Sequence, residues 1–192
     1  MPAVSVVLPA DRHRATSTLM LAFANDPIVR WLLPDTNVYI EYWPRIIDAF
    51  AGNAFGSGTA HEVAAFAGVA LWFPPGVGSD DAAFSALLEE VATDSNRRDL
   101  DGFFGQMGDL HSTFDHWYLP LAGVDPPAQG RGLGSSLINH TLETCDRQGL
   151  PAYLEATAPR NRDMYARHGF DEIGVIQEGD SPPLWRMLRQ PR

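Results

Sequence analysis

Apolar and polar positions along this chain switch repeatedly between a period of about 3.6 and a period of two, which predicts a mixed α and β order. Val4 to Leu8 reads as a short strand. Asp11 to Phe23 then places Ala15, Leu19, Ala22 and Phe23 at helical spacing, and Asn25-Asp26-Pro27 is read as its end. From about Asn37 to Phe50 a wide stripe of Val38, Tyr39, Tyr42, Trp43, Ile46, Ile47 and Phe50 predicts a second helix, with Pro44 as a kink. Thr59 to Ala65 and Phe66 to Phe73 read as paired strands, stopped by Pro74-Pro75-Gly76. Helices over Asp81 to Val91 and Asp99 to Leu110 lead into the aromatic-rich strand Trp117 to Val124. Pro120 within it cannot donate to a sheet ladder, which predicts a bulge where pairing breaks. The remainder reads as helix (Gly132 to Gln148), strand (Ala152 to Thr157), helix (Arg162 to His168) and strands Phe170 to Ile176 and Leu184 to Leu188. Gly149 and Gly169 close the two helices.

No repeat or linker divides this pattern, so 192 residues at 45% hydrophobic content suit one domain spanning 1–192. No apolar run approaches the roughly 18 residues of a membrane span, and the start of the chain lacks the basic segment of a signal peptide. A soluble, cytoplasmic protein with no membrane partner is the expectation. Cys145 is the only cysteine and sits in an apolar helical pattern, as a small core residue would. The net charge of -10 is unevenly placed: residues 131–192 hold eight arginines and eight acids, so the whole excess lies in the first two-thirds. That balance argues against nucleic acid and suits a cationic substrate. All 14 basic residues are arginine.

Candidate chemistry begins at Gln129-Gly130-Arg131-Gly132-Leu133-Gly134-Ser135, between a strand and an amphipathic helix. The first turn of a helix leaves backbone N–H groups unpaired, and glycines let an anion approach them. A pyrophosphate fits such a loop, and so does a plain tight turn. Two familiar phosphate loops are excluded by spacing. The dinucleotide fingerprint needs glycine where Ser135 stands, and the triphosphate loop needs a lysine that this chain lacks.

Strand, Val124-Asp125-Pro126, Gln129-x-x-Gly132-x-Gly134 and helix together resemble the acetyl-CoA signature of the GNAT acetyltransferases. Downstream, Leu154-Glu155-Ala156-x-Ala158-Pro159-Arg160-Asn161 and Met164-Tyr165-x-x-His168-Gly169-Phe170 are similar to that family's next strand and helix. Within the family the likeness is greatest to puromycin N-acetyltransferase-like proteins. It covers Trp117 to Arg189, with looser matches at Ala22-Phe23-Ala24-x-x-Pro27 and Val69-Ala70-Leu71-Trp72.

The resemblance implies a mixed, mostly antiparallel sheet flanked by helices, with two central strands splayed apart around the pantetheine of acetyl-CoA. Backbone groups of Ala122 and Val124 would bond that arm, and Gln129 to Ser135 would hold the pyrophosphate. It also implies direct attack of an amine on the thioester, with the Val124 N–H as oxyanion donor. Tyr165 is the candidate acid toward the leaving thiolate, with Asn161, read as a helix N-cap, four residues earlier on the same face. Glu155 is the candidate general base, with pairing to Arg160 or Arg162 as the plainer alternative; Tyr118, His111 and His116 are further candidates. His61-Glu62 and the His111 to His116 segment lack a full ligand set, so no metal is expected. The acceptor expected is a small, cationic primary amine. A peptide or protein amine and a non-catalytic CoA sensor are the alternatives, and a homodimer is a further expectation.

Overall fold

The computed structural model describes residues 2–111 and 114–192, and side chains outside 108–113. Among these residues seven strands form one sheet. They are β1 (Val4–Val6), β2 (Ala60–Val63), β3 (Gly68–Phe73), β4 (Trp117–Val124), β5 (Ala152–Ala156), β6 (Asp171–Ile176) and β7 (Leu184–Arg189). Their order is β1-β2-β3-β4-β5-β7-β6. Only β4 and β5 run parallel; the other neighbours are antiparallel. The helices are α1 (Arg12–Phe23), α2 (Pro27–Leu32), α3 (Thr36–Ala51), α4 (Asn53–Gly56), α5 (Asp81–Val91), α6 (Arg97–His111), α7 (Leu133–Gln148) and α8 (Pro159–Arg167). No described helix is long and apolar enough to cross a membrane.

Strand alternation sends successive side chains into two cores. Val69, Leu71, Phe73, Tyr118, Leu121 and Tyr153 pack with Leu19 of α1, Trp43 and Ile46 of α3 and Leu87 of α5. Ala70, Trp72, Trp117, Leu119, Leu154 and Met187 pack on the opposite face with Leu133, Leu137 and Cys145 of α7 and Tyr165 of α8. β3 is buried on both faces throughout, which explains why its sequence is an unbroken apolar run. Cys145 lies in the second core as expected, where burial pushes its thiol up to about 12 and leaves it unreactive.

Two sequence expectations need correction. Asn25-Asp26-Pro27 does not merely stop α1; the Asp26 carboxylate accepts from the N–H groups of Ile28 and Val29 at 3.0 and 3.2 Å and starts α2 with Pro27 in its first turn. The hairpin strands are shorter than predicted because Ala64, Ala65 and Phe66 all take positive φ, at 55°, 56° and 71°. That turn is held by Glu62 accepting from the Phe66 N–H at 2.8 Å and by Thr18 donating to the Phe66 carbonyl at 2.6 Å. Pro44 lies inside α3 without interrupting it.

Gly123 sets how closely α1 lies on β4. A Cβ there would stand 2.5 Å from the Ala22 Cβ and 3.3 Å from Leu19 Cδ2. Gly123→Ala is expected to push α1 off the sheet and cost about 1–3 kcal/mol, read as a lower Tm on thermal denaturation. An unchanged Tm would show that α1 is not seated this tightly.

Candidate active site

β4 and β5 share three parallel pairs, Trp117 with Ala152, Tyr118 with Tyr153 and Leu119 with Leu154. Beyond them β4 stays on β3 as far as Val124 opposite Gly68, and β5 stays on β7 as far as Ala156 opposite Trp185. The two strands part at Pro120, each held by its outer neighbour. The cause is local: β4 sets two residues, Leu119 and Pro120, against the single Trp72 of β3, and Pro120 has no N–H with which to continue toward β5. The Asp125 N–H donates to the Ala67 carbonyl at 2.9 Å. Antiparallel alternation then turns the backbone groups of Gly123 toward β3 and those of Ala122 and Val124 into the split.

At one end of the split lies the glycine loop. Gly130 and Gly132 have φ of 74° and 78°, and Gly132 caps α7 without any side-chain acceptor. The first helical bond of α7 is Ser136 N–H to Gly132 O at 3.0 Å, so the N–H groups of Leu133, Gly134 and Ser135 precede the ladder. A Cβ on Gly130 or Gly132 would meet nothing within 4 Å, whereas one on Gly134 would touch Val124 Cγ2 at 3.8 Å and Met164 Sδ at 3.9 Å. The loop is therefore open outward and abuts the end of β4. Sixteen helical residues behind it supply an anion-favouring dipole.

Several loop side chains are committed inward. Leu133 is buried in the core, Gln129 Nε2 donates to the Val124 carbonyl at 3.1 Å, and Arg131 is exposed. Ser135 Oγ lies 3.0 Å from His168 Nε2, and His168 Nδ1 lies 2.8 Å from Asn139 Oδ1. Burial lowers the His168 pKa, so the ring is neutral; its Nδ1–H donates to Asn139 and its Nε2 accepts from Ser135. What Leu133 and Ser135 offer an anion is backbone N–H, whereas that of Gln129 already donates to the Pro126 carbonyl at 3.3 Å.

A narrow cavity of about 90 Å³ occupies the split, bordered by Pro120 and Ala122 of β4, Glu155 at the end of β5, Thr157, and Asn161 and Tyr165 of α8. Asn161 and Tyr165 share a helix face as predicted. The N-cap, however, is Ala158, and Asn161 lies in the first turn because Pro159 starts the helix earlier. The Tyr165 hydroxyl makes no hydrogen bond to any described residue. Burial, with Asp26 nearby, raises its pKa well above 10, which keeps the phenol protonated. Sequence reasoning missed Asp26 itself: its second carboxylate oxygen accepts from Thr157 Oγ1, tying the start of α2 to the end of β5. Its only signal was the Asp-Pro pair.

Glu155 lies at the other end. Its Oε2 accepts from the Tyr118 hydroxyl at 2.8 Å, the Tyr153 phenol adjoins the same carboxylate, and Arg186 faces it across β7. Neither Arg160 nor Arg162 is its partner; Arg162 pairs with Asp163 and Glu172. Burial pushes the Glu155 carboxyl up to about 7, with Tyr153, Tyr118 and Arg186 holding it from rising further. The structure does not bring Val124 to this carboxylate. At a rise of about 3.3 Å per residue, the five steps from Leu119 to Val124 span about 16 Å, and Val124 stands at the loop end. Ala122 is the nearer N–H facing the split. His116 bonds Phe114 O at 2.8 Å and packs edge-on to Tyr153, while His111 lies outside the described side chains.

Beside the split a larger cavity of about 1090 Å³ opens between α5, α6 and the ends of β3 and β4. Phe50, Phe73, Phe84, Phe104 and Phe114 form its walls. Asp81, Glu89, Asp101 and Asp115 stand exposed around it, and Arg97 is the one arginine among the described lining residues. No group of three or more potential metal ligands occurs among the described residues. His61 packs on His140 with centroids 4.7 Å apart, and burial lowers its pKa to about 4.

A sheet split between two parallel neighbours, with an open helix start at one end and a buried carboxyl of near-neutral pKa at the other, is the arrangement that the resemblance to acetyltransferases implies. The chain belongs to the GNAT acetyltransferase family. Residues 101–170 match the Acetyltransferase (GNAT) family. An uncharacterized N-acetyltransferase of Schizosaccharomyces pombe is 30% identical over 94% of this chain and 80% of its own length. A Corynebacterium glutamicum protein described as histone acetyltransferase HPA2 and related acetyltransferase superposes with a TM-score of 0.70 at 26% identity, covering 100% of this chain and 97% of that one. A mosquito arylalkylamine N-acetyltransferase like 5b shares the fold at a TM-score of 0.61 and 12% identity, over 99% of this chain and 100% of its own. The protein is an N-acetyltransferase, and the family's co-substrate is acetyl-CoA.

The Glu155 carboxyl should titrate near neutrality, with a midpoint at about 7 in carboxyl-labelled NMR. Because that lies above its ordinary 4.5, the stability the group contributes is full below 4.5 and is lost as pH rises through 7. Glu155→Gln should therefore lose less Tm than the parent between pH 5 and pH 8; equal losses would place the carboxyl in an ordinary, solvated setting.

Proposed function

We propose that the protein acetylates the primary amine of a small, cationic molecule held in the larger cavity, by direct attack on acetyl-CoA. The observation that carries this reading is the meeting of that cavity with the split at Tyr118, whose hydroxyl bonds Glu155. Its volume is of the order that encloses a small ligand, about 300–1,000 Å³ in typical sites. Its aromatic walls suit an apolar body, and its surplus of carboxylates suits a positive charge. The likeness of residues 117–189 to puromycin N-acetyltransferase-like proteins points the same way.

Acetyl-CoA supplies an electrophilic thioester carbon. The N–H groups from Gly130 to Ser135 bind its pyrophosphate, and the backbone groups of Ala122 and Val124 take the pantetheine amides. Glu155 takes the proton that an attacking ammonium must lose; a carboxylate of pKa about 7 does so at neutral pH without sequestering it permanently. Ala122, rather than Val124, donates its N–H to the oxyanion, since it stands nearer the base. Tyr165 donates a hydrogen bond to the departing sulfur. Its raised pKa makes full proton transfer to a thiolate of conjugate pKa about 8.5 uphill, so hydrogen bonding is its contribution.

A protein amine is the second reading, favoured by the description of the Corynebacterium glutamicum relative. Release of CoA thiol from acetyl-CoA, measured over aromatic amines, polyamines, aminonucleosides and lysine-containing peptides, separates the two. The small cationic amines should give the highest kcat/KM, and Tyr165→Phe should lower kcat by about tenfold or more with little change in the amine KM. Highest turnover on an extended peptide would transfer the assignment to protein acetylation.

A further inference from the structure

The large cavity and the narrow one have five described lining residues in common: Phe50, Phe84, Phe104, Met107 and Tyr118. Three of the five are phenylalanines, each from a different helix, and their rings touch in series. Phe84 of α5 is the middle one. Its ring centroid lies 5.1 Å from that of Phe50, near the end of α3, and 5.2 Å from that of Phe104 of α6, the second contact edge-on at 89°. Phe103, which packs on Phe104, is fully buried, whereas Phe50, Phe84 and Phe104 are half-buried and leave apolar surface uncovered where the cavities meet. The helices that carry the three rings are pinned to their surroundings. The Asp80 N–H donates to the Ala49 carbonyl at 2.9 Å, joining the start of α5 to the end of α3, and Gln106 of α6 donates to Glu178 at 2.9 Å. Charge is kept to one side of them: Asp81, Glu89, Asp101 and Asp115 border the large cavity and not the narrow one.

We propose that Phe84, with Phe50 and Phe104 on either side, is a specificity-determining residue that packs on an aromatic ring of the acceptor, so that the substrate class is an aryl-bearing primary amine. This inference rests on the small-amine reading above. An acceptor moving from the large cavity toward the split passes carboxylates first and phenylalanines second. A flat ring suits the second stage for two reasons. Aromatic rings that meet offset or edge-on attract each other beyond the area they bury, which a saturated chain does not match. A ring also has few torsions to lose, whereas an alkyl chain gives up rotamer freedom when it is held. A polyamine fares worst, because it carries a further charge past apolar rings and away from the carboxylates that would balance it.

The test compares kcat/KM for 2-phenylethylamine and n-octylamine, which have equal charge and equal carbon number, at saturating acetyl-CoA. The wild-type protein should favour the aryl amine by about fivefold or more. Phe84→Leu keeps apolar bulk and removes the ring, and should bring that ratio to within about twofold, the change lying in the KM of the aryl amine and not in kcat. Phe84→Tyr keeps the ring and should keep the preference. If Phe84→Leu fails to fold, as its thermal denaturation would show, Phe104→Leu removes the neighbouring ring and should lower the same ratio. Equal wild-type values for the two amines, or a ratio that survives Phe84→Leu unchanged, would overturn this assignment while leaving small-amine acetylation standing. Turnover of lysine-containing peptides alone would sink the small-amine reading and this inference with it.

Discussion

The place where β4 and β5 stop pairing governs nearly everything else about this molecule. A parallel pair normally continues until one strand ends, because each broken ladder bond leaves an N–H and a C=O to be satisfied elsewhere. Here three pairs form and the strands then diverge, each still bonded on its far side. Pro120 makes the separation cheap, since it brings no donor to the ladder and the β4 bulge beside it has already tilted the strand. The β4 groups turned away from β3 there, on Ala122 and Val124, face the gap, where the Val124 carbonyl accepts from Gln129 Nε2.

That opening could not persist if the layers beside it were free to close. On one face Gly123 lets α1 lie almost against β4, and on the other Gly68 and Gly134 bring α7 beside Val124. The Asp26 to Thr157 bond ties the start of α2 to the end of β5, across the mouth of the gap. Arg189, buried on β7, makes two bonds of 2.8 and 2.9 Å to Asp146 of α7, fixing the β5 side of the sheet to the helix that carries the phosphate loop. The gap from the glycine loop to Glu155 thus lies between walls fixed to one another at several points.

The sequence made the glycine loop and the parting of β4 from β5 readable and the large cavity almost unreadable. Gly130, Gly132, Pro120 and Tyr165 are each legible because a local backbone demand or a fixed helical spacing dictates the residue type. Pro27 misled where it was read as a stop, and Pro159 went unread as a start. With a β-region residue before it and no N–H to lose, a proline is as apt to be the first residue of a helix as to end one. Ala64 to Phe66 was unreadable because left-handed alanine has no local signature; Glu62, Thr18 and Arg14 impose it from outside. Ala122 and Val124 both face the split, and what separates them is distance along β4 from Glu155. Only tertiary pairing decides that. The large cavity is assembled from residues 50 to 118, whose individual patterns are ordinary core and helix patterns.

Glu155 illustrates why such a site resists prediction from composition. Glu155 sits on a strand whose neighbours Leu154 and Ala156 are buried, and a carboxylate there loses most of its hydration. Two responses are open to the protein: keep the group neutral, or surround it with donors until the charge is tolerated. Tyr118, Tyr153 and Arg186 do the second only in part, and the outcome is a carboxyl balanced near neutrality. More donors would have made a strong acid with no appetite for a proton, and fewer would have left it permanently protonated. The intermediate value is what proton transfer from an ammonium at neutral pH calls for. It arises from the competition between burial and three specific neighbours drawn from three different strands.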